Sequence, residues 1–144
     1  MKKLLLLCFI LPFFLSCGNE ELNDDNFTDL IDIDNPAVIE LEETEYNFGT
    51  IIEGAVVTHR FVFTNTGNTP LLIAKVDATC GCTASKDYTR KPILKGEKGY
   101  IDAVFSSEGF PGNSDKTLTI VANTFPTNTI IKLKGKVVGP DKFY

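Results

Sequence analysis

From Ala37 onward the chain repeats one pattern: apolar side chains at every second position, in short runs broken by turn residues. Val57, Phe61 and Phe63 share one parity, and Thr58, Arg60, Val62 and Thr64 share the other. Ile101, Ala103 and Phe105 alternate with Tyr100, Asp102 and Val104, and Leu118, Ile120 and Ala122 alternate with Thr117, Thr119 and Val121. In Thr129–Val138, Ile131, Leu133 and Val137 oppose Lys132, Lys134 and Lys136. A period of two is that of a strand with one buried face, and no long stretch carries the helical period. The lysine row suits a solvent face or an edge that resists unwanted pairing. Leu71–Ala78 is apolar on both parities, which predicts a central strand. The polar turn between Asn65 and Pro70 predicts that Val57–Asn65 and Leu71–Ala78 pair as a hairpin. With Val38–Leu41 and Tyr46–Ile52 the count reaches about seven strands, which predicts an all-β, immunoglobulin-like antiparallel β-sandwich. It is not a true immunoglobulin domain, because the chain has no Trp and its two central cysteines stand too close together to link opposite sheets.

The N-terminus is of another kind. Lys2 and Lys3 precede a largely apolar run from Leu4 to Leu15. That run is shorter than the roughly 20 residues a membrane helix needs and fits the core of a secretory signal. Phe14-Leu15-Ser16-Cys17 resembles a bacterial lipobox, with Phe14 where Leu is usual. The resemblance implies cleavage after Ser16 and acylation of Cys17 by palmitate-type chains, which would anchor the protein on a membrane. The alternative is an ordinary secretory signal that leaves Cys17 as a free thiol. Three segments are therefore expected: a lipoprotein signal peptide at 1–16, an acidic flexible tether at 17–36, and the sandwich at 37–144. The expected location is the envelope of a Gram-negative bacterium, on the outer membrane, with the periplasmic or surface face left open.

Charge divides unevenly along the chain. Cys17 to His59 carries twelve acidic residues and no Lys or Arg, whereas Arg60 to Tyr144 carries seven acids and twelve bases. A net charge of −5 and the lack of a basic stripe interleaved with aromatics argue against nucleic acid as a partner. The tether composition cannot bury enough surface to fold alone and reads as a solvated spacer. Glu20-Glu21 and Asp24-Asp25 also fit loosely with an acidic surface-export signal. Asp32, Asp34 and Glu43 fall at positions 1, 3 and 12 of a calcium loop, but Pro36 and Ala37 occupy positions that need an oxygen ligand and Gly, so that loop is excluded.

Several motifs resemble one bacterial family. They are Tyr46-Asn47-Phe48-Gly49 with Gly54, then Phe61 through Leu71, then Cys80-Gly81-Cys82-Thr83. Pro92, Gly96-Glu97-Lys98-Gly99, Phe105, Pro111-Gly112 and Asn123 continue the match. Together they resemble the domain of unknown function 1573 family, over about residues 40–138. The resemblance implies a sandwich similar to hydin and major-sperm-protein modules, which mediate protein contacts, and it implies no biochemical activity.

Cys80 and Cys82 leave three readings open once Cys8 departs with the signal and Cys17 is acylated. If the strand from Leu72 continues unbroken, both cysteines share its apolar parity and serve as small core residues. They could form a disulfide, since an envelope compartment permits one and Gly81 can tighten the turn. Closing three residues is worth only about 1.6 kcal/mol of chain entropy, so stability is a poor reason for such a bond. A tight bond of this kind would be a candidate redox element. They could instead hold copper or zinc with His59, the sole histidine. The predicted hairpin puts His59 opposite Val76, about 13 Å short of Cys80, so the loop would have to fold back. A catalytic thiol would need a base nearby, no Gly-rich phosphate loop precedes a helix, and no carboxylate pair marks a hydrolase. The expectation is a non-enzymatic binding or structural module without cofactor, whose partners are the membrane through Cys17 and an envelope protein. The alternative is a thiol redox or metal-binding lipoprotein using Cys80 and Cys82.

Overall fold

The structure, a computed structural model, describes Asp32 and residues 34–139. The signal-peptide, Cys17 and most of the tether assignments lie outside these residues. Eight strands follow in order: β1 (Ile39–Leu41), β2 (Glu45–Ile52), β3 (Val56–Asn65), β4 (Ile73–Ala78), β5 (Thr83–Tyr88), β6 (Lys98–Ser106), β7 (Gly112–Ala122) and β8 (Asn128–Val138). They form two four-stranded sheets, ordered β1-β3-β6-β5 and β2-β8-β7-β4.

The alternation governs what is buried. Phe61 and Phe63 of β3 and Ile101, Ala103 and Phe105 of β6 line one inner face, against Leu118, Ile120, Ile131, Leu133 and Val137 of β7 and β8. Burying a Phe, Leu or Ile side chain is worth about 1.5–3 kcal/mol, so these rows dominate the stabilisation. Gly135 interrupts the inner row of β8, and the Phe48 ring occupies the space its side chain would fill. A glycine there lets a β2 aromatic pack directly against the β8 backbone.

Four expectations need correction. The strands number eight, because Thr83–Tyr88 pairs with β6 although its sequence lacks an apolar row. The sandwich is not wholly antiparallel, since β2 lies parallel to β8. β3 and β4 do not form a hairpin: they belong to different sheets, and His59 sits opposite Ala103 of β6. β4 is consequently an edge strand, and β8, the lysine strand, is central, so those lysines line an outer face.

Two buried asparagines hold the β3–β4 crossover. Asn65 Nδ2 donates to the carbonyls of Thr69 (2.9 Å) and Ile93 (2.8 Å), and its Oδ1 accepts from Gly67 N (3.0 Å) and Val38 N (3.3 Å). Asn123 Oδ1 accepts from Leu72 N (2.7 Å), and Asn123 Nδ2 donates to the Pro70 carbonyl (3.0 Å). The crossing segment satisfies its polar groups inside the protein, as buried backbone must.

Candidate functional site

Cys80 and Cys82 sit where the chain crosses from the edge of one sheet to the edge of the other. Thr79 N closes β4 on the Thr117 carbonyl (3.1 Å). A turn follows, with Thr83 N donating to the Cys80 carbonyl (3.2 Å), and Ser106 N then donates to the Cys82 carbonyl (2.9 Å), which brings the chain into the second sheet. A bulge between Ile73 and Lys75 switches the inward parity, from Leu71 and Ile73 before it to Val76, Ala78 and Cys82 after it. The two cysteines are joined as a disulfide with their Cα atoms 5.3 Å apart. Cys82 packs against the core. Thr83, only 4% exposed, places its hydroxyl 3.5 Å from Cys80 Sγ and 3.8 Å from Cys82 Sγ.

A second loop meets this turn. Ser107 is buried and donates twice to the Ala55 carbonyl, through N (3.0 Å) and Oγ (2.8 Å). Gly109 N donates to Glu53 Oε1 (3.0 Å). The loop is thus pinned to the β2–β3 turn and presents Phe110, whose ring is 40% exposed and has the Lys116 ammonium 4.4 Å from its centroid. Between the loops lies a cleft of about 400 Å³ lined by Gly81, Cys82, Ser106, Glu108 and Phe110.

His59 is not brought to the cysteines. Its ring stacks on Tyr46 at 3.7 Å, meets Phe61 edge-on at 4.8 Å, and its Nε2 donates to Glu43 Oε1 at 2.7 Å. Among the described residues, no group of three or more His, Cys, Asp and Glu side chains is placed to hold a metal ion.

On the outer face of β3-β6-β5 is a polar array that the sequence reading missed. Arg60 grips Asp102 through Nε (2.6 Å) and Nη2 (2.7 Å) and lies 4.1 Å over the Tyr100 ring. The hydrogen bond from Arg60, aided by its charge, holds the Asp102 carboxyl below its ordinary pKa. Tyr100 Oη donates to Asp87 (2.8 Å), and this bond raises the phenol pKa. Beside it Tyr88, Thr89, Arg90, Lys91, Lys98 and Tyr100 line a cleft of about 480 Å³. Two tyrosines and four cations within residues 88–100 were the available signal, scattered over a strand end and a loop.

Two packed four-stranded sheets with a disulfide at the crossover define an immunoglobulin-like, PapD-like β-sandwich. The chain belongs to the family described as protein of unknown function (DUF1573), whose profile matches residues 39–137. The fold is similar to a protein of unknown function from Porphyromonas gingivalis W83, at TM-score 0.60 and 20% identity over 69% of this chain and 46% of that one. It is also similar to PapD-like domain 7 of human CEP192 (TM-score 0.56, 10% identity, 70% of this chain and 85% of that one). A part of the secreted serine protease VesC from Vibrio cholerae is similar as well (TM-score 0.56, 14% identity, 76% and 25%). The chain thus spans less than half of the Porphyromonas protein and a quarter of VesC. No curated protein matches the chain.

Proposed function

We propose that this protein is a lipid-anchored module of the bacterial cell envelope that works by binding a partner protein, and that its contact surface is the end of the sandwich carrying Cys80–Cys82 and Phe110. The observation that carries this is the placement of that end. The chain enters the domain beside Asn65, where Ile39 pairs, whereas Thr83 and Val57 flank Phe105 at the start of β3. Asn65 and Val56 lie nine residues apart along one strand, about 30 Å. An anchor at Cys17 would attach the domain at its entry end and leave the cleft end the farther from the point of attachment.

The two ends also differ in dress. Ile52, Val56 and Phe110 are exposed apolar residues near the cleft, tied together by the contacts of Ser107 with Ile52 and Ala55. An apolar patch beside a pre-formed cleft is the usual sign of a contact surface. Membership of the family and the fold shared with PapD-like modules support a binding role and name no partner.

A photo-crosslinking residue at position 110, in the full chain within its native envelope, tests the contact surface against the same residue at Phe125 on the entry end. A discrete adduct from position 110 that is absent from position 125 is expected; equal labelling at both ends refutes the assignment. The anchor is tested by mass: a chain beginning at Cys17 with added acyl mass is expected, and an unmodified soluble chain refutes it.

A further inference from the structure

We infer that Cys80–Cys82 is a thiol–disulfide exchange site whose substrate is a protein dithiol docked in the Gly81–Phe110 cleft. The inference rests on the binding surface proposed above and assigns the chemistry done there.

Three observations lead to it. The crossover is already fixed without the bond by the backbone hydrogen bonds of Thr79, Thr83 and Ser106, and a three-residue ring removes little chain entropy. Gly81 is the second observation. Its φ is not among the positive ones, and, Cys80 and Cys82 aside, a Cβ built on it meets nothing within 4 Å. Neither a positive φ nor a neighbour beyond Cys80 and Cys82 requires a glycine there. Gly81 is exposed and carries no side chain, so nothing at this position shields the turn from an approaching thiol. The third is Thr83. A bonded sulfur carries no hydrogen, so the hydroxyl at 3.5 Å from Cys80 Sγ is the donor, and hydrogen bonds to an ionised acceptor are about twice as strong as neutral ones. A buried hydroxyl beside both sulfurs therefore favours whichever leaves as a thiolate.

Cys82 lines the cleft, so it is the sulfur attacked. The thiolate of the first partner cysteine bonds to Cys82 Sγ, the Cys80–Cys82 bond breaks, and Cys80 departs as a thiolate held by Thr83. The second partner thiol loses its proton and attacks the partner's own sulfur in the mixed disulfide, releasing Cys82. The partner leaves with a new disulfide; Cys80 and Cys82 have gained two electrons and take up two protons. Run backwards, the same path reduces a partner disulfide. Glu108 and the Lys116 ammonium over the Phe110 ring give the rim one charge of each sign, and the half-exposed ring gives it an apolar platform, which favours a cysteine flanked by apolar residues.

The test uses the full chain in detergent with glutathione as the thiol, followed by acid quench, alkylation and intact mass. Reduction of the native protein, without denaturant, is expected. Thr83→Val is expected to exchange about tenfold more slowly because the leaving thiolate loses its donor, and Thr83→Ser to restore the rate with the unfolding midpoint of all three alike. With oxidised glutathione, Cys80→Ser is expected to trap the mixed disulfide on Cys82 faster than Cys82→Ser traps it on Cys80. A native disulfide reduced only after unfolding in urea, or a Thr83→Val rate equal to wild type, overturns the inference. Neither result touches the crosslinking at position 110, so exchange and binding fail separately.

Discussion

Asn65 is expected to be the most costly polar side chain to remove. It is fully buried and makes four hydrogen bonds, two donated and two accepted, to Val38, Gly67, Thr69 and Ile93. These tie β1, the turn after β3 and the loop before β6 to one point. At about 1 kcal/mol net for each bond, Asn65→Ala costs about 3–5 kcal/mol, with Val38 N contributing least because its bond is long and part-exposed. Domains of this size have about 5–15 kcal/mol in all, so the variant would sit near the edge of folding. Urea unfolding followed by circular dichroism measures the loss, since the chain has no Trp to report fluorescence. Asn68→Ala is the control: Asn68 accepts only from the Lys95 ammonium on the surface, and the change should stay within about 0.5 kcal/mol. Asn65→Asp should not rescue, because it keeps the acceptor and turns a carboxylate oxygen toward two carbonyls. A loss under about 1 kcal/mol for Asn65→Ala would refute the reasoning, as it would mean that these four bonds together are worth no more than one.

Other outcomes follow from the same structure. Gly135→Ala should cost about 1–3 kcal/mol, because the Phe48 ring must move off the β8 backbone, and a thermal melt unchanged from wild type would contradict that packing. Gly81→Ala should leave the melt within about 0.5 kcal/mol of wild type, since, Cys80 and Cys82 aside, its Cβ meets nothing. Opening the Cys80–Cys82 bond with a reductant should cost about 1.6 kcal/mol of chain entropy, and a chain that unfolds on reduction would show the bond to be structural. Asp102→Asn should destabilise at neutral pH. The Asp102 carboxyl is depressed in the folded state by Arg60. The stability it adds is therefore fully present above the ordinary Asp value of about 3.9 and is lost as pH falls through the lower folded value. The difference in urea midpoint between wild type and Asp102→Asn should close in that acidic window, and a gap unchanged throughout would count against the pairing.

Much of the sandwich was legible because its core obeys period two. Phe61, Phe63, Ile101, Phe105, Leu118, Ile120, Ile131 and Leu133 share the apolar parity of their strands, and all are buried. What misled was connection. The Asn65–Pro70 turn has hairpin chemistry, but Asn65 shares the parity of Phe61 and Phe63, and an inward Asn needs partners that a surface hairpin does not supply. Those partners are the crossing segment and Ile93, so the turn passes between sheets. β5 went unseen because an edge strand beside one neighbour can do with Thr83, half-buried Tyr88 and little else apolar. The parallel pairing of β2 with β8 joins residues far apart in sequence, and period two is the same for either direction.

The cysteine turn shows where such reading stops and what geometry adds. Extrapolating the Leu72 parity to Cys82 assumes one straight strand, and the bulge after Ile73 together with the change of sheet removes that premise. Residue type alone left a bond, a packed pair and a metal clamp in competition. The position of His59 weighs on the third, because its ring is engaged by Tyr46, Phe61 and Glu43 on the far side of β6 from β5. Of the features that remain, a buried hydroxyl at two sulfurs, a glycine with no steric need and an apolar ring across a cleft, only the glycine is visible as such in the sequence. The others come from Thr83 and Phe110 in different segments, and a surface that acts on another protein has to be assembled that way. Period two specifies which residues a sandwich hides; the loops at its end, under no such constraint, are where one member of a fold can differ from another.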